Sequence, residues 1–375
     1  MSVVSEQTDR TFGATVLDDL IETLRRRGYR VIGPQARDGA IVYDDLDSAD
    51  ELPAGWRDVQ APGSYRLERR SDDARFGYAV GPASWKRFLF PPRVRLWHAT
   101  GIDAVDEETH DERPLAFVGV RPCELRAIEI QDRVFVGGPH VDADYSARRR
   151  GLFTVAVNCH DPSSACFCTS VGTGPAAGPG YDLLLDELLD GRHRFLARAG
   201  SAAGAEVLAE LETCAATDED RNEASEALTA AEEQISRTLE PDARDVLLRN
   251  LESPRWDDVA ERCLTCGNCT LVCPTCFCSG IEDTTDLADG AERWRTWDSC
   301  FSLQYSHIAG AGPARPTASS RYRQWLVHKL ATWPDQFGIQ GCVGCGRCIS
   351  WCPVGIDITE EVAAIKQAEK TEAVT

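Results

Sequence analysis

Eight cysteines in two identical frames offer the clearest chemistry in this chain. Residues 263–274 read C-L-T-C-G-N-C-T-L-V-C-P, and residues 342–353 read C-V-G-C-G-R-C-I-S-W-C-P. Both are C-x2-C-x2-C-x3-C-P. A cubane [4Fe–4S] cluster needs four thiolates at the corners of a tetrahedron. Three cysteines spaced by two residues wrap one loop around three irons. Gly267, Gly344 and Gly346 keep that loop free of side chains that would strike sulfide. The fourth cysteine lies one helical turn further on and is steered away by Pro274 or Pro353. In paired sites of this kind it ligates the other cluster. Cluster one is therefore expected on Cys263, Cys266, Cys269 and Cys352, and cluster two on Cys342, Cys345, Cys348 and Cys273. The exchanged ligands tie together two motifs far apart in the chain. Neighbouring clusters pass single electrons, so two of them argue for conduction. A zinc ribbon would use two C-x2-C pairs and has no need of the x3-C-P extension.

The other half of the 16 cysteines lies outside these frames. A-C-F-C at 165–168 and T-C-F-C at 275–278 repeat one Cys-Phe-Cys arrangement. Cys159 precedes the first pair in N-C-H-D-P. Three readings fit. One is a further iron–sulfur site on Cys159, Cys166 and Cys168, completed by Cys123, Cys278 or Cys300. Another is redox-active dithiol chemistry at the pairs. The third is buried, inert thiols packed beside the clusters. Cys214 reads as an ordinary core or helix residue. His160 and His307 read as hydrogen-bonded residues rather than ligands. S-V-G-T-G-P at 170–175 reads as a turn, because no helix start follows it.

Elements must hold these thiols in place. Residues 14–28 carry apolar positions at helical spacing and stop at Gly28. Strands are expected at 29–33, 40–44, 116–120 and 153–157, and a helix over 123–135 directly after the third. No G-x-G-x-x-G joins that strand to its helix, so no dinucleotide site is expected. Residues 181–188 and 192–200 form an expected hairpin around Asp190-Gly191. Residues 201–252 read as two helices bridging to the cluster region. The expected fold class is α+β. An α/β domain (1–215), a helical linker (216–252) and a ferredoxin-like domain with a long insertion between its motifs (253–375) follow in order.

Composition bounds the function. The chain has 375 residues and a formal charge of −20, which argues against nucleic-acid and anionic-membrane partners. No apolar run reaches the roughly 20 residues a membrane helix needs. The first residues lack a basic segment followed by an apolar one, so a cytoplasmic location is expected. A reducing compartment also makes metal binding the natural use of many cysteines. The only lysines are Lys86, Lys329, Lys366 and Lys370, which we read as coding bias. The basic, aromatic stretch at 85–95 reads as a patch facing a partner or a cluster, or as a solvated strand pair.

Longer motifs add a resemblance. The chain is similar to the beta subunits of cytoplasmic NAD(P)-linked [NiFe] hydrogenases (sulfhydrogenases). It is also similar to the iron–sulfur subunit of the same layout in anaerobic sulfite reductases. The resemblance covers most of the chain. It rests on F-L-F-P-P-R near 90, R-P-C-E-L-R-A-I around Cys123, N-C-H-D-P-S-S-A-C-F-C at 158–168 and G-Y-D-L-L-L at 180–185. It continues through the first motif with its C-P-T-C-F-C extension, R-W-R-T-W-D-S-C-F at 293–301, R-P-T-A-S-S-R-Y-R at 315–323 and the second motif. Ala311-Gly312-Pro313-Ala314 stands where the family pattern leads us to expect Gly-His-Asn-like residues. The resemblance implies a non-catalytic subunit with [4Fe–4S] clusters. It would carry electrons between a flavin subunit handling NAD(P)H and the hydrogenase small and large subunits, or the equivalent subunits of a sulfite reductase.

Overall fold

A computed structural model describes residues 9–100, 104–106, 113–286 and 290–372. Residues 1–8, on which the expectation of no leader partly rests, lie outside the described residues.

The N-terminal strands are β1 (Arg10–Gly13), β2 (Arg30–Arg37) and β3 (Ala40–Asp45), followed by a hairpin of β4 (Trp56–Ala61) and β5 (Ser64–Arg69). Then come β6 (Arg93–Thr100), β7 (Ala104–Asp106), β8 (Leu115–Val120), β9 (Phe153–Val157), β10 (Leu183–Leu188), β11 (Arg194–Ala199) and the short β12 (Cys214–Ala215). Between the two cysteine motifs lie β13 (Ser279–Thr285) and β14 (Gly290–Trp297).

One mixed sheet runs β12-β1-β11-β10-β9-β8-β2-β3. Its centre, β10-β9-β8-β2, is parallel. Helices cover both faces, which is why β8, β9 and β10 read as unbroken apolar runs. Side-chain alternation divides the core. Ala116 and Val118 face Leu17, Leu20, Ile21 and Leu24 of the helix Val16–Arg26. Leu115 and Phe117 face Leu125 and Ile128 of the helix Pro122–Phe135. Gly119, at φ +92°, lies where the β8–β9 register shifts, and Val120 joins the second face. Pro122 starts its helix without a missing hydrogen bond, since the first turn has no partner for that N–H. The hairpin around Asp190-Gly191 is present, with Leu188 opposite Arg194. A second hairpin joins β2 and β3 through Asp38-Gly39, both at positive φ.

Residues 201–252 differ from the expected pair of helices. Three form: Ala202–Glu210, Asp218–Gln234 and Ala243–Arg249. Between the first two, Cys214 and Ala215 pair with β1 at the sheet edge, so Cys214 is exposed rather than in a core or helix. Thr217 and Asp220 then form a reciprocal capping box that starts the next helix. Pro241 disfavours helix at Glu240 and separates the third. The helices also divide their loyalties. Ala224 packs with Leu188 and Leu196 of the sheet, whereas Ala243, Val246 and Leu247 join the C-terminal core with Trp256, Trp325 and Ile365.

A second sheet, β13-β14-β6-β7, stitches the inter-motif insertion to the N-terminal half. β14 pairs with β6 from Gly290↔Thr100 to Thr296↔Arg93. That sheet fixes the basic 85–95 stretch against the first cysteine motif. The helix Ile358–Glu372 closes the C-terminal core through Val362 and Ile365.

Candidate iron–sulfur centres

The first motif leaves the helix Arg255–Arg262, turns through Thr265 (φ +49°) and Gly267 (φ +77°), and enters the one-turn helix Asn268–Leu271. The second repeats the path with Gly344 (φ +62°) and Gly346 (φ +73°) before the helix Arg347–Ser350. These left-handed residues turn the backbone sharply enough to set three thiols around one point.

Cys263, Cys266, Cys269 and Cys352 line one cavity, with Cys348 at its inner wall. Phe301, Tyr322, Trp325, Ile356 and Ile358 form the rest of the lining that matters here. Tyr322 Oη and Trp325 Nε1 are buried there without hydrogen-bond partners. Buried donors normally find acceptors. A sulfide-rich anionic cluster among four thiolates supplies them, so the donor set fits a [4Fe–4S] group. The Ile356 amide donates to Cys352 Sγ at 3.3 Å.

Cys342, Cys345, Cys348 and Cys273 form the second group. Burial pushes the Cys342 thiol up to about 12 and raises those of Cys345 and Cys348, each influenced also by Cys273. Cys273 moves the other way. Its contact with the Cys276 thiol lowers it most, and Lys329 assists. Lys329 Nζ donates to Cys273 Sγ at 3.3 Å and to Thr275 Oγ1 at 3.0 Å. It sits on a π-helical turn, His328–Thr332, inserted between two α-helical stretches. Lys86 Nζ donates to the carbonyls of Leu271, Cys273 and Cys276 at 3.3, 3.0 and 3.2 Å and lies 3.9 Å over the Trp297 ring. Burial lowers it to about 8. Arg347 is fully buried. It holds Glu124 at 2.5 Å and donates to the carbonyls of Gly81 (2.8 Å) and Ala83 (3.0 Å). Its Nη1 has no partner, and its charge lies beside Cys345. That orphaned donor again suits a cluster with sulfur acceptors.

The N-terminal half seals this second group. A Cβ on Gly344 would stand 2.6 Å from Cys168 Cα, and one on Gly346 would stand 2.4 Å from the Ala165 carbonyl. The Phe167 amide donates to the Gly344 carbonyl at 2.8 Å. Thr173 Oγ1 donates to the Val343 carbonyl at 2.6 Å, so the 170–175 turn serves as packing.

The remaining thiols fall into two sets. Cys159, Cys166 and Cys168 lie close enough to influence one another, and Cys123 and Cys345 adjoin Cys168. Burial is the main influence on each and raises it, to about 11 for Cys159 and about 12 for Cys168. Arg121, buried and bonded to the carbonyls of Asn158 and Tyr78, is the cation beside Cys159. Cys278 and Cys300 instead influence each other most strongly and share a separate cavity with Cys276. His160 bonds to Asp186 at 3.0 Å, and His307 is exposed on a two-residue strand. Among the described residues no three Cys, His, Asp or Glu side chains close on a point suited to a single metal ion.

Lys329 and Arg347 escaped sequence reasoning, whereas Lys86 lies in the 85–95 stretch read as facing a partner or a cluster. The scarcity of lysine was the available signal, since two of the four lysines are buried against the Leu271–Cys276 stretch.

Two cysteine loops of cubane spacing, with Cys352 lining the cavity of the first and unpaired donors beside it, define an iron–sulfur protein. The family model for the 4Fe-4S dicluster domain matches residues 262–356. Over 342 residues the chain is 31% identical to sulfhydrogenase 2 subunit beta of Pyrococcus furiosus, covering 90% of this chain and 92% of that protein. The chain belongs to the sulfhydrogenase beta-subunit family. No helix among the described residues is long and apolar enough to cross a membrane.

Proposed function

We propose that this chain relays electrons through two [4Fe–4S] clusters, held by Cys263, Cys266, Cys269 and Cys352 and by Cys342, Cys345, Cys348 and Cys273. As a sulfhydrogenase beta-subunit homologue with a 4Fe–4S domain, it is an electron-transfer subunit of a hydrogenase complex. Its partners in this reading are a flavin subunit that handles NAD(P)H on one side and the hydrogenase small and large subunits on the other, in the cytoplasm. The clusters supply reversible one-electron chemistry when bound. The chain's own residues orient the thiolates, exclude water from the second site and place Lys86, Lys329 and Arg347 around it.

The observation that carries the reading is the first cavity. Cys352, from the second motif, joins Cys263, Cys266 and Cys269 from the first around two partnerless donors. Iron and acid-labile sulfide analysis tests it, with about eight irons per chain expected. Cys352→Ser should remove the cluster at the first motif. If instead the second motif alone loses its cluster, the exchanged assignment is wrong. Clusters that accept no electron across the accessible range would defeat the relay itself.

A further inference from the structure

β13 and β14 pair from Thr285↔Ala291 to Ser279↔Trp297, which brings the chain on either side of the hairpin together. The Asp298 amide donates to the Cys278 carbonyl at 2.9 Å. Two residues on, Cys300 returns to the same cavity as Cys278, and each thiol is the largest influence on the other's titration. Tyr305 lines the same cavity and its hydroxyl is influenced by both thiols. Both thiols line a cavity with Cys276, Tyr305, Arg315 and Lys329, and neither is fully buried.

This cavity backs directly onto the first iron–sulfur site. Ser299, next to Cys300, accepts a hydrogen bond from Thr270 Oγ1 at 2.7 Å and crowds Gly267, both in the first motif. Cys300 lines the thiol cavity, whereas the next residue, Phe301, lines the first cluster cavity. Trp325 lines both.

We propose that Cys278 and Cys300 form a redox-active dithiol that reduces a small anionic disulfide entering this cavity, re-reduced by single electrons from the adjoining iron–sulfur site. This rests on the relay reading for its electron source. Contact with Cys300, then with Tyr305, lowers Cys278 to about 6, and the same contact pushes Cys300 up. Cys278 is thus the attacking thiolate and Cys300 the resolving thiol. Attack on a disulfide RS–SR′ forms a Cys278–SR bond and releases R′S⁻, which takes a proton. The Cys300 sulfur loses its proton and attacks the Cys278 sulfur. RS⁻ leaves, takes that proton, and the Cys278–Cys300 bond forms. Two electrons and two protons then restore both thiols. The sum is RS–SR′ + 2e⁻ + 2H⁺ → RSH + R′SH. The cations of Lys329 and Arg315 favour a negatively charged substrate.

Oxidised glutathione is a suitable probe. The purified full chain, with iron counted, is incubated anaerobically with it, trapped with N-ethylmaleimide and mapped by peptide mass. A Cys278–Cys300 linkage is expected after oxidation, and both thiols should be alkylated when the sample is kept reduced with dithionite. Iron per chain should be equal in the two samples. In Cys300→Ser, glutathione should remain on Cys278, at least about tenfold above the unaltered chain. Loss of about four irons from Cys278→Ser or Cys300→Ser would overturn the proposal by making these thiols cluster ligands. A chain with about eight irons in which Cys278 acquires neither linkage nor glutathione overturns it as well, and leaves the relay reading standing.

Discussion

The two cysteine motifs share one spacing and live in opposite surroundings. The first faces outward. Cys266 is exposed, and Leu264 keeps 61% of its surface. The second is pressed under the N-terminal half, with Val343 at 2% and Arg347 at 0%. Matching positions record the difference. Where the second motif has Gly344 against Cys168, the first tolerates Thr265 at φ +49°. Where the second has Arg347 locked to Glu124, the first has Asn268, which reaches only the Trp351 carbonyl at 3.2 Å. Each motif also has its own attendant thiols: Cys278 and Cys300 open to a cavity beside the first, and the half-buried Cys159 with the buried Cys166 and Cys168 beside the second. The spacing defines what is bound, and the neighbours define what can reach it.

The thiol sets offer the strongest test of that contrast. A thiol reacts as its thiolate, whose share grows as pH rises through its pKa. With Cys278 near 6 and Cys159 near 11, the thiolate fractions at pH 7 differ by about 10⁴-fold. Iodoacetamide labelling of Cys278 should rise between about pH 5 and 7 and then level off, with Cys159 silent throughout. Comparable labelling of both at pH 7 would erase the distinction. Next in size is Arg347→Ala, which leaves the buried Glu124 carboxylate without its cation, held only by Tyr43 and Trp85 among the described residues. It should cost about 3–5 kcal/mol in denaturant unfolding, against about 1 kcal/mol or less for Asn268→Ala. Gly344→Thr should cost on the order of 1–3 kcal/mol from strain alone, plus the collision with Cys168, and should lower iron content. Its mirror, Thr265→Gly, should shift stability by no more than about 1 kcal/mol and keep full iron. Equal penalties would mean that the two loops are equally enclosed. The smallest expected effect is electrostatic. Lys329→Met removes a positive charge 3.3 Å from Cys273 Sγ and should lower the potential of the second cluster, leaving the first nearly unchanged. A redox titration followed by spectroscopy separates the two.

Much of this was legible in the residues. The cysteine frames declare clusters through spacing, because a cubane dictates the geometry of its loop. The helix at Val16–Arg26 and the apolar runs of β8 and β9 follow from local pattern. The pairing of β14 with β6 did not, since partner strands about 200 residues apart leave no local trace. The placement of Lys86 under the Leu271–Cys276 carbonyls was hidden for the same reason. Even the inequality of the two motifs was written only faintly, in Thr265 against Gly344 and Asn268 against Arg347. The helices of 201–252 were undercounted because composition favours unbroken helix, whereas Thr217 with Asp220 and Pro241 decide where helix starts and stops.

The seal over the second motif also bears on maturation. Iron and sulfide enter a protein through openings, and this site is closed by side chains from the distant 60–83, 121–124 and 165–173 segments. On the proposed ligand sets, the second cluster would have to be built while the chain is still folding, before those segments dock. The first, with Cys266 at the surface, would be open to filling or mending in the finished protein. After oxidative damage, one such centre would be open to repair in place, whereas the other would be renewed only by unfolding or by making a new chain.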